Sequence, residues 1–232
     1  MDAVVMAAGE GTRLRPLTER WAKSVLPIDG RPVLAVLLRE LAAAGCARVW
    51  LVTGHLADQV EALAGEGSAF GVEIRTVRQP EVLGSADAVQ RALAAGAGLP
   101  VIVSAADTVF SRGDVARFVE AFGASAAAGA VAVRTNPGPG AERQAVLRAG
   151  DRIVRLYDGP DAGEWTPAPL WGLDRAVAER LCLDQAPYEL GNAYQAAIDA
   201  GETVMAVEIG TTRDLTYPLD LVEENFPYLS AL

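Results

Sequence analysis

"AVVMAAGEGTRLRPLTERWAKSVLP", residues Ala3 to Pro27, passes from an apolar run into a loop carrying Gly9, Gly11, three arginines and a lysine. The run "AVVMA" (Ala3–Ala7) lacks polar alternation, which predicts a strand buried on both faces of a parallel sheet. The loop behind it is locally basic. Between residues 10 and 23, Arg13, Arg15, Arg20 and Lys23 outnumber Glu10 and Glu19, although the 232-residue chain carries a net charge of −10. Lys23 is also the only lysine among 20 basic residues. Wherever a generic cation sufficed the chain uses arginine, so lysine here reads as a choice of compact point charge over a wide fork.

Beyond the loop the pattern repeats. Pro32 opens the helical run "PVLAVLLRELAAAG", which Gly45 stops. "RVWLVTG" (Arg48–Gly54), "VEIRTVRQ" (Val72–Gln79) and "PVIVSAAD" (Pro100–Asp107) read as further strands. Helical stretches "LADQVEALAG", "SADAVQRALAAG" and "GDVARFVEAFGAS" follow them in turn, with Ser85 as a candidate N-cap. Four such alternations predict an α/β fold with a doubly wound, mainly parallel sheet flanked by helices, Rossmann-like in class. After about residue 130 short strands take over: "AVAVR", "QAVLRA", "RIVRLY" and "PAPLWGL". Helices "RAVAERLCL" and "LGNAYQAAIDAG" come next, then the strand "TVMAVEIG" and a terminal helix from Pro218. No linker separates the halves, 1–128 and 129–232, so one domain over 1–232 is expected.

Composition narrows the function. The acidic total argues against nucleic-acid partners and against an anionic membrane surface. No apolar run reaches the ~18 residues of a transmembrane span, and no signal segment is evident, so a cytoplasmic protein is expected. Cys46 and Cys182 suit neither a disulfide framework nor a zinc spacing and read as small core residues. The lone His55 reads as structural.

The loop is not a Walker A motif, and Leu14 stands where a dinucleotide fingerprint needs its third glycine. Its chemistry still suits phosphate. Gly9 and Gly11 let backbone N–H groups approach, Thr12 adds a hydroxyl, and Arg13 can grip two oxygens. The same residues also suit a tight turn with solvated arginines. In open α/β sheets ligands sit at strand carboxyl ends, where both this loop and Asp107 are expected.

At larger scale, "AAGEGTRLRPLT…AKSVLPIDGRPVL" resembles the G-x-G-T-R-x-R-P-L-T…P-K signature of the sugar-1-phosphate nucleotidyltransferases, the NDP-sugar pyrophosphorylases. "QPEVLGSADAV", "SAADTVF", "YELGNAYQAAIDAG" and "RDLTYPLDLVEENFPYL" resemble four further motifs of that family, in its order. The resemblance implies an enzyme that moves a nucleotidyl group from an NTP to a sugar 1-phosphate with release of pyrophosphate, aided by Mg²⁺. It implies that Arg13 and Lys23 are catalytic, and that Ala8, Gly9, Gly11, Thr12, Arg13, Gln79, Gly84 and Ser85 hold the nucleotide. Gln79 and Gly84 match base-reading positions, which leans toward dTTP or UTP. Asp107 and Asp214 would hold the Mg²⁺, which typically uses one or two carboxylates plus phosphates and water. Both aspartates also suit caps or turns. Lys23, Trp171, Gly172, Glu189 and Asn192 would form the acceptor site, although Trp171 also suits a core and Glu189 a solvated helix start. Relatives commonly assemble, so a homo-oligomer is consistent.

Three departures bear on the acceptor. Ala22 replaces the proline usual before the motif lysine. Gly159 stands where the family has a second lysine, leaving an arginine such as Arg143 or Arg155 as a substitute. Gly191 and Asn192 stand where Thr-Asp is common. These keep open a cytidylyl or other transfer to a cyclitol phosphate, a phosphonate or a phosphocholine-like acceptor, and a non-catalytic nucleotide-binding homologue. The C-terminal β-helix domain of some relatives is not expected.

Overall fold

A computed structural model describes residues 1–135, 145–158, 164–184 and 188–226. The first half runs β1 (Asp2–Ala7), the short hairpin β2 (Pro27–Ile28) and β3 (Arg31–Pro32), α1 (Val33–Ala43), β4 (Arg48–Thr53) and α2 (Ala57–Ala64). It continues with β5 (Glu73–Arg78), α3 (Ser85–Ala94), β6 (Val101–Ala105), β7 (Thr108–Phe110) and α4 (Asp114–Gly123). The second half contributes β8 (Gly129–Arg134), β9 (Ala145–Ala149), β10 (Arg152–Asp158), β11 (Thr166–Leu173) and α5 (Arg175–Ala178). It closes with α6 (Leu190–Asp199), β12 (Val204–Glu208), β13 (Thr212–Asp214) and α7 (Pro218–Glu223).

Nine strands form one sheet in the order β5-β4-β1-β6-β11-β8-β12-β10-β9. β5, β4, β1 and β6 pair parallel; β4, β1 and β6 carry the apolar runs of buried strands, while the more polar β5 lies at the sheet edge. β11 then lies antiparallel between β6 and β8, and β12 pairs parallel with β8. The carboxyl ends of β1, β6, β8 and β12 therefore share one edge of the sheet.

Apolar clusters cover both faces. One joins Leu34, Leu37, Leu38 and Leu41 of α1 and Phe118 and Phe122 of α4 to the sheet; the other joins Val89 of α3 and Tyr194 of α6. The α1 residues recur at helical spacing, so a single face of that helix is buried. A third cluster, Leu14, Leu26, Ile28, Val33 and Leu215, lies under the basic loop and fixes its path.

Several expected boundaries move. The strand expected over Pro100–Asp107 ends at Ala105, and Asp107 occupies the turn into β7. The helix expected from "RAVAERLCL" is one turn long, Arg175–Ala178. Ser85 does not cap its own helix: Gly84 is the N-cap, and the Ser85 hydroxyl accepts from Leu190 N at 2.7 Å, at the start of α6. Cys46 is buried as expected, and burial pushes its thiol up to about 11. Cys182 is exposed, with Sγ 3.1 Å from Asp184 Oδ2, and is not a core residue. Among the described residues no helix is long and apolar enough to cross a membrane.

Candidate active site

A cleft of about 290 Å³ opens at the carboxyl ends of β1 and β6, lined by Gly9, Gly11, Thr12, Arg13, Lys23, Ser24, Asp107 and Thr216 among others. The loop that shapes it is held from several sides. Gly11 adopts φ 62° and ψ 43°, and a Cβ there would stand 2.9 Å from Thr18 Cγ2. The Thr18 hydroxyl donates to the Gly11 carbonyl at 2.8 Å, while His55 Nε2 contacts the Thr18 carbonyl oxygen at 2.8 Å. Gln59 of α2 accepts from Ala22 N at 2.9 Å and donates to the Arg20 carbonyl at 2.7 Å. Ala22 is itself buried, so tertiary contacts hold the segment before Lys23 where the family motif has proline.

Lys23 Nζ lies 2.5 Å from Asp107 Oδ2, with both side chains partly exposed to the cleft. Arg13 lies exposed on the wall and, among the described residues, makes no hydrogen bond or ion pair. Ser24, next to Lys23, is buried, and among the described residues its Oγ has no partner. Gly9 has no heavy atom within 4 Å of where a Cβ would be. Packing therefore does not require glycine there.

Asp214 reaches this wall through a ladder with no local sequence signal. β13 pairs antiparallel with β7, setting Asp214 opposite Thr108, the neighbour of Asp107. Thr216 Oγ1, in the cleft wall, donates to Asp214 Oδ1 at 2.7 Å. Arg213 anchors the ladder by bonding Asp29 at 2.6 and 2.9 Å and Glu224 at 2.5 Å. Asp107 faces the cleft, and Asp214 sits opposite its neighbour Thr108 and bonds Thr216 of the wall. Among the described residues no three His, Cys, Asp or Glu gather as a metal cage, so a hard cation here would complete its shell with phosphate and water.

The remaining expected residues are placed differently. Ala8 is buried, and its carbonyl accepts from His55 N. Gln79, Gly84, Ser85 and Glu189 gather near the start of α3, on the same sheet edge. Gln79 is buried, with Nε2 donating to Asp87 Oδ2 at 2.7 Å and to the Gly84 carbonyl at 3.1 Å. A Cβ on Gly84 would meet the Tyr188 carbonyl oxygen at 2.5 Å, so close chain approach accounts for that glycine. The Ser85 hydroxyl donates to Glu189 Oε2 at 2.9 Å. Asn192 is exposed on the first turn of α6.

Trp171 and Gly172, expected in the acceptor site, lie on β11 among closely packed neighbours. Trp171 is buried in the core, its ring 5.1 Å from that of Tyr194. A Cβ on Gly172 would come 2.5 Å from Phe122, so glycine here lets α4 pack onto β11. Arg155 is exposed on β10, while Arg143 and Gly159 lie outside the described residues.

Arg134, at the end of β8, escapes sequence reading. It is 7% exposed, and among the described residues its Nε and Nη1 have no partner. Burial pushes its guanidinium below the usual arginine value, and the Asp214 charge opposes that shift.

A family model described as nucleotidyl transferase matches residues 2–211. The chain belongs to the nucleotidyl transferase family. The sugar-1-phosphate nucleotidyltransferase resemblance read from the motifs is thereby borne out. Glucose-1-phosphate thymidylyltransferase of Streptomyces griseus is 43% identical to this nucleotidyl transferase chain over 89 residues, 38% of the chain and 25% of the relative. The bifunctional protein GlmU of Acidovorax ebreus is 34% identical over 169 residues, 71% of the chain and 34% of the relative. These matches span about a quarter to a third of those relatives' length. In fold, the chain superposes on a UDP-glucose pyrophosphorylase from Acinetobacter baumanii with TM-score 0.81 at 21% identity, covering 96% of this chain and 91% of the other.

Proposed function

We propose that the chain transfers a nucleotidyl group from an NTP to a sugar 1-phosphate and releases pyrophosphate. The observation that carries this reading is Lys23 in contact with Asp107, in a cleft whose wall also holds the unpaired Arg13. In the reaction, an oxygen of the acceptor phosphate attacks the α-phosphorus of the NTP. The bond to the bridging oxygen breaks, and its electron pair leaves with pyrophosphate. The obstacles are repulsion between polyanions and charge growing on the leaving group, so positioned cations are the main help a protein can give.

Arg13 would hold the departing phosphates, with the Gly11 N–H and the Thr12 hydroxyl donating beside it. Lys23 would exchange Asp107 for phosphate oxygens between the α-phosphorus and the incoming acceptor. Asp107 and Asp214 would hold Mg²⁺, which supplies charge neutralisation on the phosphates when bound. Gln79 supports a dTTP or UTP preference in a specific way. Asp87 and the Gly84 carbonyl only accept, so they orient the Gln79 amide with its NH₂ toward them. Base reading would then fall to Oε1, an acceptor that suits the N3–H of uracil or thymine and not the bare N3 of cytosine.

Pyrophosphate release, measured with Mg²⁺ and four NTPs against a panel of phosphorylated acceptors, tests the reading. The expected result is turnover with UTP or dTTP and a sugar 1-phosphate. Lys23→Ala should lower kcat by about 100-fold or more, the scale of removing one charge-stabilising donor; full turnover in that variant contradicts the mechanism. A second reading rests on the chain having one lysine in all: transfer from CTP to a cyclitol phosphate or phosphonate. The same panel separates the two. NTP binding without pyrophosphate release from any pair would favour a non-catalytic homologue.

A further inference from the structure

Arg134 is a charged group that the proposed reaction leaves without a task. A guanidinium held away from water is unfavourable unless something pairs with it. Arg148 also has an unpartnered Nη1, but its guanidinium stacks 3.8 Å from the Trp165 ring and pairs with Glu208 at 2.5 Å. Among the described residues Nε and Nη1 of Arg134 have no partner, and the charge of Asp214 offsets its burial.

Its position in the sheet is informative. β8 runs parallel to β6, with β11 between them, so Arg134 ends its strand on the same sheet edge as the cleft. Two strand spacings put the end of β8 roughly 10 Å from the end of β6. Ala132, two residues earlier, belongs to the apolar cluster that also holds Phe110 of β7 and Val115 of α4, so strand alternation turns Arg134 toward that face of the sheet. The charge of Asp214 acts on Arg134, and Asp214 in turn accepts from Thr216 of the cleft wall. Arg134 thus stands on the second-half side of the Lys23–Asp107 pair, away from the loop that would take the leaving phosphates.

We propose that Arg134 is the residue that holds the phosphate of the acceptor, offering Nε–H and a terminal N–H as a two-pronged clamp on its oxygens. The inference rests on the nucleotidyl-transfer reading of the site. An acceptor phosphate monoester is a dianion brought up to a triphosphate, and it needs a cation of its own. The planar guanidinium matches the spacing of two phosphate oxygens, and donors already stripped of water bind such a group strongly. Partial neutralisation by Asp214 keeps the empty site tolerable.

The test is steady-state kinetics on the full chain, with glucose 1-phosphate and whichever of UTP or dTTP the wild type uses. Arg134→Gln should raise KM for glucose 1-phosphate by about 10- to 100-fold, as expected for losing a charge-assisted clamp. KM for the NTP should stay within about twofold. Arg134→Lys keeps the charge facing Asp214 but loses the fork; it should keep the wild-type melting temperature and raise only the acceptor KM. That variant carries the test if the glutamine one fails to fold. Equal rises in both KM values, or a lowered melting temperature with acceptor KM unchanged, would overturn the proposal and make Arg134 a structural counter-charge to Asp214. Wild type that releases pyrophosphate while Arg134→Gln keeps its acceptor KM sinks Arg134 alone. Wild type that releases none with any acceptor overturns the site reading and this inference together.

Discussion

Gly9 and Gly11 stand two residues apart in the basic loop and are glycine for different reasons. Gly11 carries a left-handed backbone and touches Thr18; Gly9 has open space where its side chain would be. Gly11→Ala should therefore destabilise the fold by about 1–2 kcal/mol, the usual cost of an L-residue in that conformation. Gly9→Ala should leave stability within about 0.5 kcal/mol while weakening NTP binding. Denaturant unfolding with NTP titration separates the two effects. Lys23 was legible because its rarity is a property of composition. Ser24 and Arg134 were not, since a buried polar atom without a partner exists only once distant segments have met. Trp171 shows the converse: its place in a motif says nothing of which way its strand turns it, and the strand turns it into the core.

At the scale of elements, βα alternation over the first half was readable from apolar period and glycine stops, because each unit is local in sequence. The insertion of β11 between β6 and β8 was not, and neither was the β7–β13 ladder that sets Asp214 opposite Thr108. Such pairings join residues with no shared local pattern. Ser85 is a compact case. An N-cap preference is a fair reading of a serine before a helical run, yet its hydroxyl caps α6, 105 residues away. Ser85→Ala should cost about 1 kcal/mol, the usual loss of a capping side chain, and should loosen α6 more than α3. Hydrogen exchange at the amides of Leu190 and its neighbours is the measurement; faster exchange confined to α3 would contradict the assignment.

Across the whole molecule, one sheet edge gathers every candidate functional group from segments far apart in sequence. The basic loop follows β1, Asp107 follows β6, Arg134 ends β8, and Asp214 arrives with β13 after β12. The excess of cations in residues 10–23 at that edge, within a chain of net charge −10, would direct polyanions there and away from the rest of the surface. The most direct check is a crystal structure with UTP or dTTP, Mg²⁺ and glucose 1-phosphate. The β- and γ-phosphates should lie against Gly11, Thr12 and Arg13, with Lys23 released from Asp107 onto the α-phosphate. A nucleotide bound elsewhere, or Arg13 and Lys23 both turned to solvent with substrates in place, would contradict the account.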